Sequence, residues 1–139
     1  MIILDTNVIS EMMRPQPATP VRAWLNVQVA ETLFVTSITV AELRFGIGCL
    51  PSGRRRNSLN AALEAMLLLL GDRVMAFDAL AASVYADRAV MARAAGRGLP
   101  LPDGYIAAIA ASRAFKVATR DIAPYEVAGV KVINPWGHL

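Results

Sequence analysis

At 139 residues the chain has the length of one average domain, and a 55% hydrophobic, 18% charged composition excludes a disordered chain because it supplies enough apolar side chains to fill a core. A formal net charge of +3 permits contact with a polyanion without requiring it. One cysteine, Cys49, and one histidine, His138, exclude an internal disulfide, a four-cysteine zinc site and a histidine pair, so any bound metal must be held by carboxylates.

In chain order, Ile2-Ile3-Leu4 reads as a buried strand that stops at Asp5. It carries neither a basic leader nor the apolar run of a secretory signal, so a cytoplasmic protein is expected. A short helix starts near Asn7, and residues 21–28 form another behind Pro20, with Val21, Trp24 and Leu25 on one face. With Met12 and Met13 these helices carry surplus apolar surface, which a second copy or a partner's helix is expected to cover. Residues 33–35 form the second strand, ending in the hydroxyl cluster Thr36, Ser37 and Thr39.

Residues 40–50 and 56–70 form a helical hairpin around Pro51-Ser52-Gly53, with Cys49 as a packed thiol. Residues 74–77 are the third strand, 79–95 an alanine-rich helix ending at Gly96, and Pro102 opens a helix to about Phe115. Residues 116–119 and 130–133 complete five strands. The alternation predicts one α/β domain over residues 1–139, with a mostly parallel five-stranded sheet flanked by helices on both sides. No apolar run approaches the roughly 20 residues of a membrane span, so no membrane contact is expected.

Asp5, Glu42, Asp103 and Asp121 all fall where a strand ends or a helix begins. Each has an ordinary structural reading. Asp5 suits a turn or cap, Glu42 completes a Thr39-Val40-Ala41-Glu42 capping box, Asp103 complements a helix dipole, and Asp121 suits a turn. Those separate readings leave unexplained why all four share the carboxyl edge of the sheet, where open α/β folds bind ligands, while the other acids are assigned to helix surfaces. Crowded carboxylates repel, and a divalent cation relieves the repulsion. Oxygen-only ligands suit Mg²⁺ or Mn²⁺, whose chemistry with a phosphate is phosphodiester hydrolysis. A dehalogenase-type phosphatase would need an aspartate where Asn7 stands, and a phosphoacceptor receiver would need an acidic pair beside the first strand.

The ordered set Met1-Ile-Ile-Leu-Asp-Thr-Asn-Val-Ile-Ser10, Thr39-Val-Ala-Glu-Leu-Arg44, Asp103-Gly-Tyr-Ile-Ala-Ala108, Ala118-Thr-Arg-Asp121 and Asn134-Pro-Trp136 resembles a PIN domain. It is similar, more narrowly, to VapC-type toxins of type II toxin-antitoxin pairs on the FitB-like branch. The resemblance implies that Asp5, Glu42, Asp103 and Asp121 are the metal-binding and catalytic quartet of a Mg²⁺- or Mn²⁺-dependent endoribonuclease. Asp5 and Asp103 would be the most direct ligands, Glu42 direct or water-mediated, Asp121 the most peripheral, and Asn7 and Thr119 polar supports beside them.

It also implies a homodimer, held inactive by a cognate ribbon-helix-helix antitoxin whose arginine reaches the acidic pocket, with operator DNA bound only through that antitoxin. The alternative is a co-repressor subunit whose pocket mainly receives the antitoxin and cleaves little or nothing. Arg54, Arg55, Arg56 and Arg120 are candidate contacts to RNA or antitoxin, the first three equally readable as a solvated helix start. Arg44 is read as structural or interfacial, Trp136 as packing the chain end, and His138 as solvent-exposed.

Overall fold

The computed structural model describes residues 1–137; His138 lies outside the described residues. Five parallel strands, β1 (Ile2–Leu4), β2 (Leu33–Thr36), β3 (Val74–Met75), β4 (Lys116–Ala118) and β5 (Val132–Ile133), stand in the order β3-β2-β1-β4-β5. The expected strands are all present, and the sheet is entirely parallel. Strand three ends at Met75 rather than at Phe77. Asp78 accepts from the Ala81 N–H at 2.9 Å and starts helix α5 (Ala79–Ala94), so the chain leaves the sheet early.

Side chains of a strand alternate between faces, and both faces are covered. Ile3 and Val117 point into a core built with α5, α6 (Asp103–Arg113) and α7 (Ile122–Val127), where Ile106, Ile109 and Tyr125 are fully buried. Leu4, Val35 and Ala118 point the other way, against α1 (Thr6–Met12), α3 (Ser37–Gly48) and α4 (Arg54–Leu70), through Val8, Ile9, Leu43, Ile47 and Leu63. Helix α2 (Thr19–Asn26) adds Trp24 and Leu25 to that second core. No described helix is long and apolar enough to cross a membrane.

Several local expectations are corrected. The cap of α3 is Thr36, whose Oγ1 accepts from the Thr39 N–H at 3.1 Å, so Thr39-Val40-Ala41-Glu42 is not a capping box and Glu42 lies inside the helix, beyond its first turn. Cys49 follows that helix and is exposed rather than packed. Met13, Trp24 and Leu25 are largely covered by this chain's own core, while Met12 stays exposed; the most exposed large apolar residues described are Leu68 and Leu69 on α4, Val27 at the end of α2 and Phe45 on α3. Helix α7 was not foreseen, and its Pro124 sits in the first turn, where an amide has no intrahelical acceptor to lose.

Candidate active site

The register of the central strands puts the site where it is. Leu4 pairs with Ala118 in parallel, so the next residues, Asp5 and Thr119, emerge side by side at the carboxyl edge. Strand order reverses about β1, with β2 and β3 on one side and β4 and β5 on the other, and the crevice at such a switch point is open to a ligand. A cleft of about 600 Å³ there is lined by all four predicted acids, Asp5, Glu42, Asp103 and Asp121. They come from four different segments: the β1–α1 junction, the second turn of α3, the first residue of α6, and the β4–α7 junction.

Asp5 is buried, with 3% of its surface exposed, and both its oxygens are held. Oδ1 accepts from the Thr6 N–H at 2.7 Å, which caps α1, and Oδ2 accepts from the Thr119 hydroxyl at 2.7 Å. Thr119 is fully buried and organises the floor of the cleft. Besides donating to Asp5, its Oγ1 accepts from Asn7 Nδ2 and from the Asp121 N–H, each at 3.0 Å, the full capacity of one hydroxyl. Asn7 Oδ1 in turn accepts from the Arg120 N–H at 3.3 Å. Asn7 and Thr119 thus stand beside the carboxylates as expected, and Asp5 is at the same time the cap of α1. On the opposite wall the Thr6 hydroxyl donates to Glu42 Oε1 at 2.7 Å and lies 3.1 Å from Thr39 Oγ1.

The acids feel one another. Burial, and then the charges of Asp5, Asp121 and Glu42, push the Asp103 carboxyl up to about 6. Asp5 is raised as well, by burial first, with its hydrogen bonds opposing and the charge of Asp121 adding. Among the described residues no three histidine, cysteine, aspartate or glutamate side chains stand close enough to enclose one ion. The donor set nonetheless suits a hard divalent cation. It is made of carboxylates alone, its members repel in the absence of positive charge, and Mg²⁺ commonly keeps several waters and one or two protein carboxylates.

The cleft holds more than the sequence pattern indicated. Glu11, assigned to a helix surface, is buried and lines the cleft, paired with Arg14 at 3.2 Å. Asn7, Ser10 and Glu11 line it at the i, i+3, i+4 spacing of one helical face, a polar stripe that the sequence does carry, and Arg14 lines it just beyond the end of α1. Of the basic candidates, Arg120 and Arg55 line the cleft, whereas Arg54 and Arg56 do not. The Arg120 guanidinium sits 4.6 Å from the ring centroid of Trp136, so Trp136 packs the chain end and also presents Arg120 at the mouth of the site. Arg44 pairs with Glu64 at 2.8 Å and ties α3 to α4 away from the cleft.

Comparison with known proteins agrees with this architecture. The sequence profile of the PIN domain matches residues 2–130. The chain is 48% identical over 137 residues to a VapC ribonuclease, Y4jK, of Sinorhizobium fredii, covering 98% of each chain. It is 44% identical to Toxin FitB of Neisseria gonorrhoeae, again over 137 residues and covering 98% of this chain and 99% of that one. The solved structure of FitAB bound to an IR36 DNA fragment superposes with a TM-score of 0.94 at 44% identity, covering 100% of this chain and 97% of that one. With its five-stranded parallel sheet, its carboxylate-lined switch-point cleft and a profile match over nearly its whole length, the chain belongs to the PIN domain family.

Proposed function

We propose that the protein is the toxin of a toxin-antitoxin pair, an endoribonuclease that hydrolyses RNA phosphodiester bonds with Mg²⁺ or Mn²⁺. The observation that carries this reading is the convergence of Asp5, Glu42, Asp103 and Asp121 on one cleft, close enough that three of them raise the pKa of the fourth. The likeness to proteins named as a VapC ribonuclease and a toxin supports it. Asp5 and Asp103 would hold the cation most directly, Glu42 directly or through water, and Asp121 at the periphery. The bound cation would supply an activated water and charge stabilisation for the leaving oxygen.

The chain's own residues do the rest. Thr119 and the Thr6 N–H fix Asp5 in one orientation, and the Thr6 hydroxyl fixes Glu42. Arg55 and Arg120 border the acids and offer forked donors for phosphate oxygens on either side of the scissile bond. The stack on Trp136 restrains the Arg120 guanidinium at the mouth of the site before substrate arrives.

The mutual repulsion of the carboxylates also favours a second reading, a co-repressor subunit with little or no cleavage, because a guanidinium relieves that repulsion as a metal ion does. A partner's arginine would then occupy the pocket, in a complex that meets DNA through the antitoxin; the solved FitAB complex bound to an IR36 DNA fragment supports a DNA-bound assembly. Induced expression in cells separates the two. Growth arrest by wild type, no arrest by Asp5→Asn, and retained binding of both to a cognate antitoxin support the nuclease. Equal arrest by both proteins contradicts it.

A further inference from the structure

Among the described residues only one buried side-chain polar atom has no hydrogen-bond partner: the hydroxyl of Tyr125. The residue is fully buried in the core formed with α6 and the β1–β4 face, among Ile3, Ile106, Ile109 and Val117. Helix α7 begins immediately after Asp121, so the tyrosine rises from beneath the acidic floor. Burial first, then the charges of Asp5, Asp103 and Glu42, drive the pKa of its hydroxyl far above the ordinary value, and the hydroxyl in turn opposes the rise that burial imposes on Asp5 by offering that carboxylate a hydrogen. The hydroxyl therefore approaches Asp5 closely enough to act on its carboxylate, yet it falls short of a hydrogen bond of normal length and angle.

Buried polar groups are almost always satisfied, and an unsatisfied one costs stability. A phenylalanine would fill the same apolar space without that cost. The hydroxyl has one donor to give, and the nearest charged acceptor is Asp5, each of whose oxygens retains a free lone pair after its single hydrogen bond. We infer that Tyr125 is a positioning residue of the acidic cleft, whose buried hydroxyl is the third donor to the Asp5 carboxylate beside the Thr6 N–H and the Thr119 hydroxyl, holding that carboxylate in the orientation that receives a divalent cation. Partners that orient a metal-binding carboxylate in this way commonly govern affinity by about 10- to 100-fold. The inference rests on the reading of the cleft as a divalent-cation site.

The test is Mn²⁺ binding by the full-length protein without RNA, measured by calorimetry for wild type and Tyr125→Phe, alongside thermal melts without metal. The expected result has two parts. Tyr125→Phe melts no lower than wild type, because an unsatisfied hydroxyl is lost, and it binds Mn²⁺ about tenfold more weakly. Mn²⁺ should also perturb the near-ultraviolet tyrosine absorbance of wild type and leave that of Tyr125→Phe unchanged. Equal Mn²⁺ affinity in both proteins, or absence of Mn²⁺ binding by wild type, overturns the inference. Cleavage assays on the same samples keep the two ideas apart. Normal RNA cleavage by wild type with equal Mn²⁺ affinity of the variant defeats the role of Tyr125 alone, whereas weakened binding by the variant with no RNA cleavage by wild type defeats the nuclease reading alone.

Discussion

Thr119→Val is the sharpest perturbation of the cleft, because it replaces the hydroxyl by a methyl group of nearly the same size. The buried Asp5 carboxylate loses a 2.7 Å donor, an interaction worth about 1.5–3 kcal/mol when the acceptor is charged. The two donors that Thr119 accepts are cheaper to strand. Asn7 is only half-buried and Asp121 is exposed, so water replaces the lost acceptor. The net expectation is a loss of about 2–3 kcal/mol at pH 7, or roughly 6–12 °C in Tm for a domain of this size. Asp5 already titrates above its ordinary value, and losing this donor raises it further. The penalty is therefore largest where Asp5 is ionised and shrinks as pH falls and the carboxyl is protonated in both proteins. Urea denaturation followed by circular dichroism at pH 7 and pH 4 measures both parts, with Thr119→Ser as the control that keeps the hydroxyl. A Thr119→Val protein within about 0.5 kcal/mol of wild type at pH 7 would refute the claim that this hydroxyl holds Asp5.

Three further outcomes are expected. Asp103 has a folded-state value of about 6, above the ordinary 3.8, so the stability it contributes is full below about pH 4 and is lost as pH rises through 6. Metal-free wild type should therefore lose Tm relative to Asp103→Asn across that window, and Mn²⁺ should restore it; parallel melting curves would exclude the predicted repulsion. A Cβ on Gly104 would lie 2.9 Å from Tyr85 Cε1 and 3.0 Å from Leu99 Cγ, so Gly104→Ala should cost about 1–3 kcal/mol by overpacking α6 against α5, read as a lower Tm. Trp136→Ala frees Arg120 and should raise the KM for RNA several-fold with kcat nearly retained, in steady-state cleavage of a fixed oligonucleotide.

The strands and the four acids were legible because they obey simple rules. Ile2-Ile3-Leu4 is too apolar to face water on either side, and an acid directly after such a strand must lie at the sheet edge. Asp121 followed from the same logic, and Glu42 and Asp103 from the rule that a helix packing back on the sheet starts at that same edge. Other features depend on packing that no single segment reveals. Thr36 and Thr39 are both plausible caps in sequence, and only the turn of the chain out of β2 decides that Thr36 takes the Thr39 N–H. Glu11 looks like a surface acid on a short helix until α1 packs beside β1, which buries it in the cleft next to Arg14. Tyr125 lies in a segment whose Pro124 argues against a helix, so nothing local placed its hydroxyl beneath Asp5. Arg54, Arg55 and Arg56 are indistinguishable as a run, and only the direction of α4 brings Arg55 alone to the site.

The most direct test of the account is cleavage of a mixed RNA pool by purified wild type and by Asp103→Asn, each with Mn²⁺, with Mg²⁺ and with chelator. Cleavage by wild type that needs the cation, and its loss by a factor of about 10³ or more in Asp103→Asn, is the predicted result for a transition-state charge lost from the cleft. Equal cleavage by the two proteins, or cleavage undiminished by chelator, would show that the four carboxylates are not the hydrolytic centre.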